Sequence, residues 1–464
     1  MSFLFGTALL LAPVRIAGTA LDDYVALEDP NFGFNLVDTL SLFGATVYVL
    51  NMTSQQWRSS NEADRTLWTH WVSIIVPSDP REGMGALFID GGNNGDTTPQ
   101  TDDEILSGLA LLAVSTRTVI VDLQMVPNQP LTFAGEASSR SEDAILAYSF
   151  DQYLRTNDET WPALLPMVKS AVRAMDAAQL FLPTISGPSI NSFIVAGNSK
   201  RGWTTWLTGA VDTRVVAIAP LVFELLNMDE QLNHQLEVYG LYPDPLSDYV
   251  DLGVFDRFDL PEGQALMDII DPYEYRSRFA DIPKYLINST GDQFYPPDSS
   301  QFYFGDLPGT KYLRYVPNTD HSLAQAFLDV VVSLAGFYHS LTGGPPLPEF
   351  TWTVEECGST IRVVATDQPA SVNLWQATNP TARDFRLETI GPAWTSSTLV
   401  STGDSVYLGQ VSEPVQGWTA FFVELVYENE GFSTQKFTTE VRVIPDTLPF
   451  QSSSVRGDHW AQYE

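Results

Sequence analysis

The stretch Ser192-Phe193-Ile194-Val195-Ala196-Gly197-Asn198-Ser199-Lys200-Arg201-Gly202-Trp203 decides how this chain is read. An apolar run of strand character stops at a glycine and restarts as a helical segment just past a serine. A nucleophile elbow needs this arrangement. Its serine sits on a tight, strained turn between strand and helix so that Oγ projects over the sheet, and small residues nearby let the two backbones approach. Gly197 supplies the small residue two positions before Ser199. The usual second glycine, two positions after the serine, is replaced by Arg201, with Gly202 one step later, so the pattern G-x-S-x-x-G departs from the standard form.

Outward from this stretch, short β-rich runs alternate with longer helical segments from about 45 to about 341, which predicts a mostly parallel sheet with crossover helices. The pattern predicts strands over 45–50, 68–76, 85–89, 118–123, 192–196, 215–220, 284–288 and 311–316. Helices are predicted over 102–116, 141–155, 161–180, 200–210 and 323–341. The interval 223–281 is long for one connection inside a compact sheet and reads as a cap, helical at first and then acidic and proline-containing. A lid over a pocket and an inert surface excursion both fit it. Gly343-Gly344-Pro345-Pro346-Leu347-Pro348 then punctuates the chain, and about seven short alternating runs follow. Such spacing without a long helix suggests a β-sandwich of immunoglobulin or fibronectin type. The expected division is a signal peptide over 1–20, an α/β domain over 21–342, a β-sandwich over 350–447 and a tail over 448–464.

A serine nucleophile needs a base and an orienting acid, which in an elbow-bearing α/β sheet follow in the order Ser, Asp or Glu, His at the ends of later strands. The predicted strand 284–288 runs into Ser289-Thr290-Gly291-Asp292, and the strand 311–316 into Pro317-Asn318-Thr319-Asp320-His321. Of five histidines, His70 lies in a strand, His234 in the cap, His339 late in a helix and His459 in the tail, which leaves His321. In this reading His321 takes the Ser199 proton and Asp292 holds the imidazole. The oxyanion donors are the backbone N–H of Lys200, at a helix N-terminus, and of Gly92 or Asn93 in the loop Asp90-Gly91-Gly92-Asn93-Asn94-Gly95. Trp203 and Phe223 are candidate substrate-lining residues, with a plain core role as the alternative. Each triad member taken singly has a blander reading: a helix cap, a turn residue, a solvated loop histidine. Their joint position and order favour catalysis.

Composition narrows the partners. Lys+Arg total 24 and Asp+Glu 57, a net charge of −33, and such a field repels phosphate backbones and anionic headgroups, which excludes nucleic acid as an expected partner. The glycine loop also lacks the Lys-Ser/Thr of a phosphate cradle. No His/Asp/Glu cluster has metal-ligand spacing, the lone Cys357 closes no intrachain disulfide, and no metal or cofactor is expected. The apolar run 3–14, too short to cross a bilayer, is followed by Ala17, Gly18, Thr19 and Ala20 and reads as a signal peptide cleaved near Ala20, hence a secreted chain without membrane insertion. The sequons at Asn51 and Asn288 permit glycosylation.

Several stretches carry a resemblance: Leu21-Asp22-Asp23-Tyr24-Val25, Leu50 to Trp57, His70-Trp71, Gly91-Gly92, Gly197 to Trp206, Asn227-Met228, His234-Gln235 and Tyr239-Gly240. With these, the chain resembles the PhoPQ-activated pathogenicity-related protein family over about 21–341 and into the β region. The resemblance implies an α/β-hydrolase fold in a secreted protein, with Ser199, Asp292 and His321 matching the triad. Members are described through bacterial virulence or antimicrobial-peptide resistance, and through growth-inhibiting signalling in amoebae. Two readings follow: a serine hydrolase acting on a small-molecule or peptide substrate, or a signalling protein that uses the same scaffold to bind a cell-surface receptor.

Overall fold

The computed structural model describes residues 18–355, 358–428 and 434–451. The apolar run 3–14, Cys357 and the tail from 452 onward lie outside them. Nine strands make the first part of the main sheet: β1 (Gly33–Leu42), β2 (Ala45–Gln56), β3 (Leu67–Pro77), β4 (Gly83–Ile89), β5 (Val119–Leu123), β6 (Ile190–Asn198), β7 (Val215–Leu221), β8 (Lys284–Ser289) and β9 (Lys311–Val316). β1, β2, β3 and β5 are joined antiparallel, and from β5 through β4, β6, β7 and β8 to β9 every neighbour is parallel. With the added edge strand β1 set aside, the order along the sheet is 1-2-4-3-5-6-7-8 with the second strand antiparallel, the order of an α/β-hydrolase. β5 and β8 are buried at every position, as central strands covered on both faces must be.

The helices that precede the all-β region are α1 (Ala20–Ala26), α2 (Glu104–Thr116), α3 (Asp143–Thr156), α4 (Leu164–Phe181), α5 (Lys200–Val211), α6 (Met228–Tyr239), α7 (Ser247–Asp251), α8 (Pro261–Ile270) and α9 (Phe327–Leu341). Thr19 caps α1 in a capping box with Asp22, and the Asp22 carboxylate accepts from Arg278 Nη1 at 2.7 Å. Alternation along β6 divides the core. Phe193 and Val195 join the face carrying α4 and α5, whereas Ile194 and Ala196 join the face carrying α2 and α9. α6, α7 and α8 with short 3₁₀ turns make up the interval after β7.

Eight further strands follow: β10 (Phe350–Val354), β11 (Thr360–Ala365), β12 (Ser371–Asn379), β13 (Thr395–Thr398), β14 (Val406–Gln410), β15 (Trp418–Glu428), β16 (Thr434–Thr438) and β17 (Arg442–Ile444). β16, β15, β12 and β13 prolong the main sheet beyond β9, with Thr438 opposite Leu313 and the Tyr315 N–H donating to Thr438 Oγ1 at 3.0 Å. β10, β11 and β14 form a separate three-stranded antiparallel sheet, and Ile361, Val363 and Tyr407 share a core with Leu374, Phe421 and Val423. A Cβ on Gly409 would lie 2.5 Å from Val423 Cγ2, so only glycine lets the layers approach there. The all-β region is therefore a two-layer antiparallel arrangement, one layer of which continues the hydrolase sheet.

Among the described residues no helix is long and apolar enough to cross a membrane. The sequon at Asn288 is overturned as a surface acceptor: Asn288 lies in β8 and is 2% exposed, so a glycan has no room there.

Candidate active site

β6 delivers Ser199 directly, and α5 begins at the next residue. Ser199 has φ 57° and ψ −125°, a left-handed backbone that costs a non-glycine residue about 1–3 kcal/mol. Its N–H donates to Leu221 O at 2.9 Å and its carbonyl accepts the Trp203 N–H at 2.9 Å, which fastens the turn between β7 and the first turn of α5. The packing explains the unusual spacing of glycines. A Cβ on Gly197 would come 2.7 Å from Arg201 O, and one on Gly202 would come 2.9 Å from Leu221 O. The close contact falls on Gly202, leaving Arg201 free to carry a long side chain.

Although Ser199 occupies the cap position of α5, its side chain makes no cap hydrogen bond. Ser199 Oγ lies 2.8 Å from His321 Nε2, and His321 Nδ1 lies 2.9 and 2.8 Å from the two Asp292 oxygens. With Nδ1–H donating to Asp292, Nε2 is left to accept the serine proton. The Asp292 side chain is 2% exposed and that of His321 17%. Phe294 N–H donates to Asp292 Oδ1 at 2.7 Å, His321 N–H donates to Gln293 Oε1 at 3.0 Å, and the Phe294 ring lies 4.2 Å from the imidazole. The three residues expected from sequence are thus brought together in one hydrogen-bonded line.

Of the oxyanion candidates, Lys200 is the first residue of α5, where helical N–H groups lack intrahelical partners. Asn93 is corrected: its N–H donates to Asp96 Oδ2 at 2.6 Å, since the acidic turn of its own loop captures it. Gly92, at φ 122°, is the candidate left from that loop. Trp203 and Phe223 stack with centroids 4.9 Å apart and both line a slot beside Ser199 of about 30 Å³. Leu246, Tyr249 and Phe255, from the interval after β7, line it as well.

Two groups escaped the sequence reading. Glu142 and Asp143, at the start of α3, hold the basic pair after the nucleophile: Lys200 Nζ reaches Glu142 at 2.7 Å and Asp143 at 2.9 Å, and Arg201 makes a two-pronged pair with Glu142 at 2.8 Å. Burial pushes the Glu142 carboxyl up, but Arg201 and Lys200 outweigh it and hold it well below the usual carboxylate range. Adjacent basic residues immediately after the serine, in so acidic a chain, were the available signal. The second group is a brace from the C-terminal region: Leu387 N–H donates to Gly291 O at 3.1 Å, Asn318 Nδ2 donates to Trp394 O at 3.0 Å and Trp394 N–H to Asn318 Oδ1 at 2.9 Å. Glu224, buried against Tyr303 and Tyr315 whose hydroxyls donate at 3.1 and 2.6 Å, is pushed well above the carboxylate range by burial. Among the described residues no group of three or more His, Cys, Asp or Glu side chains is placed to hold a metal ion.

The chain resembles known proteins at three levels. Solved structures with a similar fold include an acetyl xylan esterase from Thermoanaerobacterium sp. JW/SL YS485, at 16% identity and a TM-score of 0.42, covering 69% of this chain and 92% of that one. Another is a protein of Legionella pneumophila, at 14% identity and a TM-score of 0.41, covering 68% of this chain and 99% of that one. A far nearer relative is autocrine proliferation repressor protein A of Dictyostelium discoideum, 38% identical over 480 aligned positions that cover 98% of this chain and 96% of that protein. The sequence profile of the PhoPQ-activated pathogenicity-related proteins matches residues 21–386. On both grounds the chain belongs to the PhoPQ-activated pathogenicity-related protein family.

Proposed function

We propose that this protein is a secreted serine hydrolase that cleaves an ester or peptide bond by acyl transfer to Ser199. The single observation that carries the reading is the 2.8 Å contact of Ser199 Oγ with His321 Nε2, in line with the His321 to Asp292 pair. His321 takes the serine proton as Oγ attacks the carbonyl carbon, and the developing oxyanion accepts from the N–H groups of Lys200 and Gly92. The imidazolium then returns the proton to the leaving oxygen or nitrogen, and water, activated by the same imidazole, releases the acid. The small aromatic slot suits a compact group next to the scissile carbonyl. Secretion is supported by the apolar run 3–14 and the small residues after it, and N-terminal sequencing of protein recovered from the medium tests it, with a mature start near residue 21 expected.

The test of catalysis is a fluorophosphonate probe on wild type, Ser199→Ala and His321→Ala. Stoichiometric labelling of wild type that both substitutions abolish is the expected result, and an unlabelled, folded wild type would sink the hydrolase reading. The name of the Dictyostelium relative favours a second reading, autocrine signalling through a receptor. Growth repression that survives Ser199→Ala would assign the signal to binding.

A further inference from the structure

The slot beside Ser199 admits one part of a substrate, and its position says which. Once Oγ has bonded to a carbonyl carbon, three substituents of that carbon remain to be seated: the oxyanion, the leaving group and the acyl chain. The oxyanion is drawn to the Lys200 N–H and the glycine loop, and the leaving atom must come within reach of His321 Nε2 to receive its proton. Ser199 lines the slot, whereas neither His321 nor Gly92 does. The acyl chain is the substituent left to enter it.

Size and stiffness then limit that chain. The slot's volume of about 30 Å³ is close to the share of one water in the liquid, so it holds a methyl group and little more. Ser199, Asp143 and Phe294 are part-exposed and the other residues around it are buried, so it runs inward from the nucleophile. Its walls are pinned. Trp203 stacks on Phe223 and its indole N–H donates to Ile270 O at 2.5 Å, while the Tyr249 ring stacks on Phe255 with centroids 5.5 Å apart and its hydroxyl donates to Asp143 Oδ1 at 2.9 Å. A longer chain enters only by unstacking these rings, and side chains packed at interior density yield little. In a peptide, any residue but glycine attaches two further heavy atoms to the α-carbon beside the carbonyl, and the same space excludes them.

We infer that the slot seats the methyl of an acetyl group and that the substrate is an acetyl ester whose alcohol lies outside it, with Phe223, Leu246 and Tyr249 setting the chain length. This rests on the hydrolase reading of Ser199. In the first step Oγ bonds to the acetyl carbon, the C–O bond to the alcohol breaks, and the serine proton passes through His321 Nε2 to the alcohol oxygen. Water then bonds to the same carbon, the acyl–Oγ bond breaks, and a water proton returns to Oγ through Nε2, releasing acetic acid. Hydrolysis of p-nitrophenyl acetate, butanoate and octanoate by the full chain, each corrected for the rate of Ser199→Ala, tests this, with fluorophosphonate labelling in parallel. For wild type, kcat/KM is expected about 100-fold or more higher on acetate than on octanoate. Phe223→Ala and the milder Leu246→Ala, each checked for folding by circular dichroism, raise butanoate relative to acetate about tenfold, and Leu246→Ala alone reads the ratio if Phe223→Ala does not fold. A labelled wild type that hydrolyses octanoate as well as acetate, or hydrolyses no acetate, overturns the acetyl assignment and leaves the hydrolase reading standing. An unchanged ratio in a folded variant overturns the slot as the acyl seat. Absence of both labelling and ester turnover overturns the hydrolase reading and the acetyl assignment with it.

Discussion

Ser199 is held from within the hydrolase part of the chain, by two glycines that admit close backbone packing and by a ring of buried charge around Glu142, whereas the Asp292 and His321 loops are braced by Leu387 and Trp394 of the C-terminal β region. The nucleophile half is built on contacts near in the sheet, and the acid-base half depends on a part of the chain that a linker separates from it in sequence. The difference teaches that the β region, continuous with β9, is a structural member of the candidate site. Gly291 makes the dependence concrete, since a Cβ there would lie 2.6 Å from Thr319 O and 2.8 Å from Leu387 N.

The largest expected effect breaks the acid-base half without moving it. Asp292→Asn keeps the loop but turns His321 into the wrong tautomer, so the rate of fluorophosphonate labelling falls by about 10⁴-fold while the melting temperature stays near wild type. On the nucleophile half, Glu142→Ala strips Arg201 of its carboxylate and leaves Lys200 with Asp143 alone, their side chains 11% and 7% exposed, and costs about 3 kcal/mol in urea unfolding. That figure sits at the low end because the Glu142 side chain is itself 41% exposed. If stability drops but labelling does not, the charge ring supports the fold and leaves the elbow alone.

His70 belongs to neither half and sets the pH at which the comparison is made. Burial pushes its pKa down to about 4, with Nδ1–H donating to Gln124 O at 3.0 Å and Nε2 accepting from Ser54 at 3.0 Å. A histidine held neutral in the fold binds its proton more readily when unfolded, so its contribution is complete above about pH 6.5 and is lost as pH falls toward 4. The His70 contribution falls by about 2 kcal/mol between pH 7 and pH 5, and the difference in stability between wild type and His70→Asn shrinks by that amount in urea titrations at the two pH values. The smallest effect probes the brace: Asn318→Ala removes both hydrogen bonds to Trp394 and costs about 1–2 kcal/mol, and a labelling rate that falls with it ties the β region to the acid-base half.

Much of this was legible beforehand because it is local. The expected strands 215–220, 284–288 and 311–316 correspond to β7, β8 and β9, and the serine, acid and histidine sit where strand ends put them. β1 escaped notice, since its Gly33–Leu42 run mixes Asn, Asp, Thr and Ser with apolar residues and is largely exposed at the sheet edge. Asn93 was misjudged because one loop amide looks like another until Asp96 is seen to take it.

By itself the sequence determined the alternation of strand and helix, the elbow at Ser199 and the order of its partners, since periodicity, glycine placement and strand ends act over a few residues. Only the tertiary structure decided that β16 pairs with β9, that Glu142 clamps the basic pair, and that Trp394 braces the His321 loop. Those contacts join residues from 58 to 125 positions apart in the chain, and the close packing of side chains and strand edges that selects them is written in no single stretch.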